Sequence, residues 1–244
     1  MATPTALSPA TTPQPMDSAR LLSVLQFADS AFPAGGYAHS FGLEAYVQGG
    51  IVRDRQGVLA FLRAHLEGAV GPGEATAAVA SREALGRDRL DDCRRLDEAL
   101  EAMKPVRAFR EASRQMGRQT LRVASALSGD ERLGAYLGAV ESGGRPGHHA
   151  VAFGMAGGAF GWEAHETATA LLHSTSALLV GAALRLLPLG QLDGQRILRE
   201  LHPLIERLAG EAAARPARDM WSFCPGLEVE GMRHAALPAR LFRS

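Results

Sequence analysis

From Val106 to Leu127 the stretch "VRAFREASRQMGRQTLRVASAL" sets Val106, Phe109, Ser113, Met116, Thr120, Val123 and Leu127 at steps of three and four. That spacing gathers them on one side of an α-helix, whereas a strand would scatter them over both faces. A seam this long commits its neighbours to helix packing, and the same period recurs through the chain. Leu21, Leu22 and Leu25 share a helix over 20–28 behind a cap at Asp17 or Ser18. Val58, Leu62, Leu66 and Val70 repeat every four residues after Asp54, a good N-cap. Further helices are predicted over 74–85, 89–103, 132–140, 148–160, 164–186, 195–208 and 211–220, with a break at Gly86. No window alternates in the manner of a strand bounded by turns. The pattern predicts an all-α fold, a single helical domain of about ten helices behind a flexible N-terminal tail.

The tail is expected over 1–18, "MATPTALSPATTPQPMDS", whose four prolines lie among Thr, Ala and Ser. It lacks the basic start and apolar core of a secretion signal. The helical body is expected over 19–221, and a C-terminal segment with its own character over 222–244. With 26 basic and 26 acidic residues the charge balance favours neither nucleic acid nor a membrane surface. The longest apolar runs fall short of the roughly 18–20 residues that span a bilayer. Two cysteines, Cys93 and Cys224, make no disulfide framework, and a cytoplasmic setting follows as the expectation.

Two glycine-bearing stretches need a physical reason. Around Gly154, Gly157, Gly158 and Gly161 each interior glycine costs a helix about 1 kcal/mol against alanine, so neighbours must press on its bare backbone. A central helix wrapped by others is the reading. The second stretch, "DSAFPAGGYAHSFGLE", is no phosphate loop, since no Lys-Ser/Thr follows its glycines. Ser40 stands in an A-x-S-x-G frame, but Pro33 and two glycines upstream deny it the strand that a nucleophile elbow requires. Pro33 is expected to halt the first helix, Gly35 and Gly36 to take positive φ, and Ser40 to cap a helix from Phe41, with Glu44 near its first turn.

"FADSAFPAGGYAHSFGLEAYVQGG" resembles the N-terminal signature of the urease accessory protein F family (UreF), with the motif at Pro33, Gly35, Gly36, Tyr37 and 40–44. "REASRQMGRQTL", "RLLPLGQLDGQRIL" and the terminal "MRHAALPARLFRS" agree with it in order. The resemblance implies an all-helical, non-catalytic scaffold that forms a homodimer and binds the D accessory subunit (H in some bacteria). With it the scaffold would recruit the GTPase G subunit to apo-urease, so that nickel and carbon dioxide reach the active-site lysine. It implies no catalytic residue, metal ligand or cofactor in this chain.

For a docking surface the C-terminal residues Arg233, His234, Arg240, Leu241, Phe242 and Arg243 are the main candidates, because a solvated tail is normally poor in Leu and Phe. Gly35, Gly36, Tyr37 and Glu44 of the loop rank second, with Gln191 and Gln195 as amides at a helix elbow. Arg110, Arg114, Arg118 and Arg122 form a ladder that would repel itself unless acids answer it. Asp88, Asp91, Asp92, Asp97, Glu98 and Glu101 on the preceding helix are available for that. The alternatives are an acidic partner, or a bound GTPase receiving one arginine as a direct regulator of its hydrolysis. His165 and His173 lie about 12 Å apart along one helix, too far to share an ion.

Overall fold

The computed structural model describes residues 17–234, 237 and 239–244, which form eleven α-helices and no strand. The tail expected over 1–18 lies outside these residues up to position 16. At the centre runs α8 (His149–Ala159), buried on every side from Ala150 to Gly157. Around it stand α4 (Thr76–Gly86), α5 (Leu90–Met103), α6 (Arg107–Ser128) and α9 (Ala164–Leu186), and α7 (Glu131–Glu141) packs on α6. The glycine stripe is what lets them approach. A methyl group on Gly154 would lie 2.0 Å from the Ala78 carbonyl oxygen, and one on Gly158 2.9 Å from that of Arg82. On α6, Gly117 does the same for the chain entering α8, with the Gly147 carbonyl 2.0 Å from where its Cβ would sit.

The start of α8 is capped from another helix. Asp97, fully buried on α5, accepts hydrogen bonds from the N–H groups of Gly147 and His148 at 2.7 Å and from the Tyr136 hydroxyl at 2.9 Å. Burial still pushes its carboxyl above the usual range. Asp97 therefore leaves the set of acids expected to face the arginine ladder.

The remaining elements are α1 (Ser18–Ala28), α2 (Leu43–Gln48), α3 (Arg55–His65), α10 (Gln191–Ala214) and α11 (Pro225–His234). Between α3 and α4 the chain does not break: Leu66–Ala75 is a π-helix, so 55–86 is one continuous rod with Pro72 inside it. A π-helix directs its N–H groups five residues back, and Pro72 has none to give. The segment after α10 docks on this stretch: the Gly68 carbonyl accepts from the N–H of Phe223 at 2.7 Å, and the Pro72 carbonyl takes the N–H of Trp221 at 3.4 Å. A side chain on Gly68 would meet Cys224 Sγ at 2.4 Å, so glycine there admits the segment 221–224 against the rod.

Four expectations are corrected. Leu21, Leu22 and Leu25 face outward on α1, while Phe27 and Val24 pack inward. Leu127 is exposed, and Leu121 and Ala124 take the inner positions at that end of α6. A 3.5-residue repeat drifts about 20° per heptad around a straight helix, so the seam rotates out of contact. The helices expected over 195–208 and 211–220 merge into the longer α10, which carries Pro203 inside and is followed by a 3₁₀ turn at Ala217–Asp219. Finally, α9 is long and apolar enough by composition to cross a membrane, which no run had suggested; more than half of its most apolar window is buried against neighbouring helices.

Candidate partner-docking site

Between α1 and α2 the loop uses its glycines differently from one another. Gly35 takes φ +83°, a left-handed conformation that L side chains resist. Gly36 has no positive φ; it is small because a Cβ would lie 2.4 Å from Leu178 on α9. Gly42 (φ +87°), preceded by Phe41 at φ +47°, delays α2 until Leu43, two residues later than expected. Ser40 accordingly does little capping, at 3.5 Å from the Glu44 N–H. Its hydroxyl and its N–H both donate to the Ser244 carbonyl at 2.7 Å.

That pair of bonds belongs to a clamp joining the loop to the C-terminal segment. Glu44, 1% exposed, accepts from the N–H of Leu241 at 2.6 Å on Oε1 and from that of Phe242 at 3.1 Å on Oε2, and His234 Nε2 lies 2.8 Å from the same Oε2. The Arg243 N–H donates to the Ala38 carbonyl at 2.9 Å, and His39 Nδ1 stands 2.9 Å from Ser244 Oγ. Above them Arg185 of α9 is sandwiched, its guanidinium 3.7 Å from the Tyr37 ring centre and 4.2 Å from that of Phe242. Arg185 also donates to the carbonyls of Tyr37 and Gly181 at 2.8 and 3.2 Å. Cation–π stacking on both faces and carbonyls at the edge hold this arginine in place.

The electrostatics follow from burial and from these bonds. Burial pushes the Glu44 carboxyl up, but the Leu241 N–H, His234 and the Phe242 N–H outweigh it and hold the group below the usual carboxylate range. His39 is lowered to about 4, first by burial and then by the Arg243 charge, so its ring is neutral near pH 7.

Of the twelve predicted docking residues, the fold turns three inward: Glu44, His234 and Phe242. Phe242 is 3% exposed and His234 1%, whereas Leu241 is 61% exposed and Tyr37 75%. Arg233, Arg240 and Arg243 are exposed, with Arg233 paired to Glu230 at 2.7 Å. The loop and the C-terminal segment thus come together into one surface: Tyr37, Arg240, Leu241 and Arg243 outside, Glu44, His234 and Phe242 holding it from within. Gln191 and Gln195 are exposed in the first turns of α10. No hydrogen bond among the described residues joins them to the clamp.

The ladder is mostly answered internally. Glu101 receives Arg110 and Arg114, and Arg122 pairs with Glu141 on α7 at 2.7 Å. Asp91, Asp92 and Glu98 instead pair along their own helix. Arg118 is exposed and has no ion pair among the described residues. His148 and His149, at the start of the helix expected over 148–160, both dock on α6: His148 lies 3.1 Å from Ser113 Oγ and 3.0 Å from Glu101, His149 3.1 Å from Thr120 Oγ1. Sequence reasoning missed Arg185 and the clamp role of Ser40 and Glu44. Their spacing of four signals a shared helix face, but their partners lie some two hundred residues away.

The UreF family model matches residues 52–202, more than half of the chain. A urease accessory protein UreF of Paenarthrobacter aurescens is 34% identical over 229 residues, covering 94% of this chain and all of that protein. Counterparts of the same description from Lachnoclostridium phytofermentans and Bacillus sp. TB-90 are 32% and 31% identical, each over 92% of this chain and 98% and 99% of their own lengths.

Proposed function

This chain belongs to the UreF family of urease accessory proteins, and from that premise we propose a non-catalytic scaffold for assembly of the nickel centre of urease. In this reading it forms a homodimer, binds the D (or H) accessory subunit, and with it recruits the GTPase G subunit to apo-urease. The docking surface is the composite of loop and C-terminal segment, with Tyr37, Arg240, Leu241 and Arg243 making contact. One observation carries the assignment: Glu44 and Ser40 spend their hydrogen bonds on backbone groups of 241–244, and Leu241, Arg240 and Arg243 are left turned to solvent while Phe242 is buried. Exposed aromatic, leucine and arginine side chains on a fixed backbone are what hot spots are made from, because little ordering entropy remains to oppose binding.

The test is co-purification with the D subunit of the full-length chain, a chain truncated before Met232, and Leu241→Asp. The expected result is loss of recovery on truncation and strong reduction with the aspartate. Equal recovery of all three would move the docking surface elsewhere.

A second reading is supported by Arg118, the ladder position with no ion pair among the described residues. In it the chain regulates GTP hydrolysis directly by offering that guanidinium to the nucleotide. Turnover by the G subunit would then rise when the chain is added, and the rise would vanish with Arg118→Ala; unchanged turnover removes this reading.

A further inference from the structure

Beneath the Gly35–Gly36 loop lies a cavity of about 320 Å³, at the small end of the range for ligand sites. Its walls are mostly apolar, with Phe27 and Phe32 from the α1 side, Met116 of α6 and Leu178 of α9, and His149, Ser174 and Thr175 add polar groups among them. Arg185 stands at its rim, braced between the rings of Tyr37 and Phe242, with Nη1 bonded to no group among the described residues and no acid paired to it. Asp29, the acidic group of the lining, makes no ion pair with Arg185 among the described residues. Asp29 also commits Oδ1 to the Ala31 N–H at 2.7 Å.

We infer that this cavity receives one apolar side chain from a segment of a partner protein, whose neighbouring carboxylate pairs with Arg185. The inference rests on the scaffold reading above and deepens it by stating the chemistry of what docks. A volume of this size takes a Leu, Met or Phe side chain, and a guanidinium fixed by two aromatic faces meets a carboxylate without losing rotamer freedom. Gly36 shapes the entrance, since a side chain there would displace Leu178.

Gly181 supplies a clean perturbation. It lines the cavity, and a Cβ there would meet nothing within 4 Å, so Gly181→Leu grows into the empty space while improving helix propensity. The experiment titrates the isotope-labelled full chain with N-acetyl-L-phenylalaninate and with its uncharged amide, following backbone resonances of Gly36 and Leu178. The expected result is saturable binding of the carboxylate, about tenfold weaker binding of the amide, as loss of one charged hydrogen bond dictates, and no binding to Gly181→Leu. Arg185→Gln abolishes the preference for the carboxylate. Absence of saturable shifts in the native chain, or equal affinity in the filled variant, overturns the inference. So does undiminished co-purification of Gly181→Leu with the D subunit, which removes a partner segment as the occupant. Failure of the native chain to bind that subunit would instead defeat the scaffold reading, and the titration judges the cavity independently of it.

Discussion

The α4–α8 contact and the loop–tail clamp both depend on backbone, in opposite ways. In the first, Gly154 and Gly158 bring helix backbones so close that nothing else fits, and the attraction is dispersion spread over many atoms. In the second, a single carboxylate gathers two N–H groups and a histidine, and two backbone carbonyls take the rest. A close-packed contact is intact or lost; a hydrogen-bonded one can be exchanged group by group for water or another protein. The fold has put the first kind at its centre and the second where docking is proposed.

The hardest test of that contrast is Gly154→Ala. Its methyl would stand 2.0 Å from the Ala78 carbonyl and 2.3 Å from Ser81 Oγ, so we expect a loss of about 3 kcal/mol or more, read as a collapse of soluble yield and melting temperature. Next comes pH. His39, His65, His148 and His149 are each lowered to about 4, with burial the largest cause. Unfolded histidine binds a proton below about 6.5, so unfolding takes up protons between there and 4, and stability falls as pH falls through that window. Glu44 acts lower: its depressed carboxyl contributes stability above the ordinary value of about 4.3 and loses it as pH drops further. Denaturant titrations at pH 7, 5.5 and 4.5 should show the decline beginning well above the carboxylate range; a flat profile down to pH 5 would contradict the buried neutral rings.

A smaller and local effect is expected for Glu44→Gln, which keeps the shape but not the charge. Release of the C-terminal segment should become easier by about 1–3 kcal/mol, seen as faster amide exchange at Leu241 and Phe242 with α8 unchanged. If α8 loosened equally, the two regions would not be separable. Smallest is Gly181→Ala, expected to raise stability by up to about 1 kcal/mol, because this glycine, unlike Gly154, has open space beside it.

Much of this was legible in the residues themselves. Asp54 caps α3 through the Gly57 N–H at 2.9 Å, and Val58, Leu62, Leu66 and Val70 are all buried as their spacing predicted. The central glycine-rich helix followed from its own helix cost. Leu21, Leu22 and Leu25 misled because periodicity locates an apolar face without saying what covers it. The docking candidates were read as separate places, which the fold joins into one surface, and Glu44, Phe242 and His234 proved to be internal fastenings.

The sequence alone determined the all-helical class and the central helix, since local period, capping and glycine cost act within a few residues. Only the tertiary structure decided that Ser40 and Glu44 hold 241–244, that the Gly68 carbonyl takes the Phe223 N–H, and that Arg185 stands between two rings. Those bonds join groups far apart along the chain, and their energy depends on distance and burial, which no local pattern records.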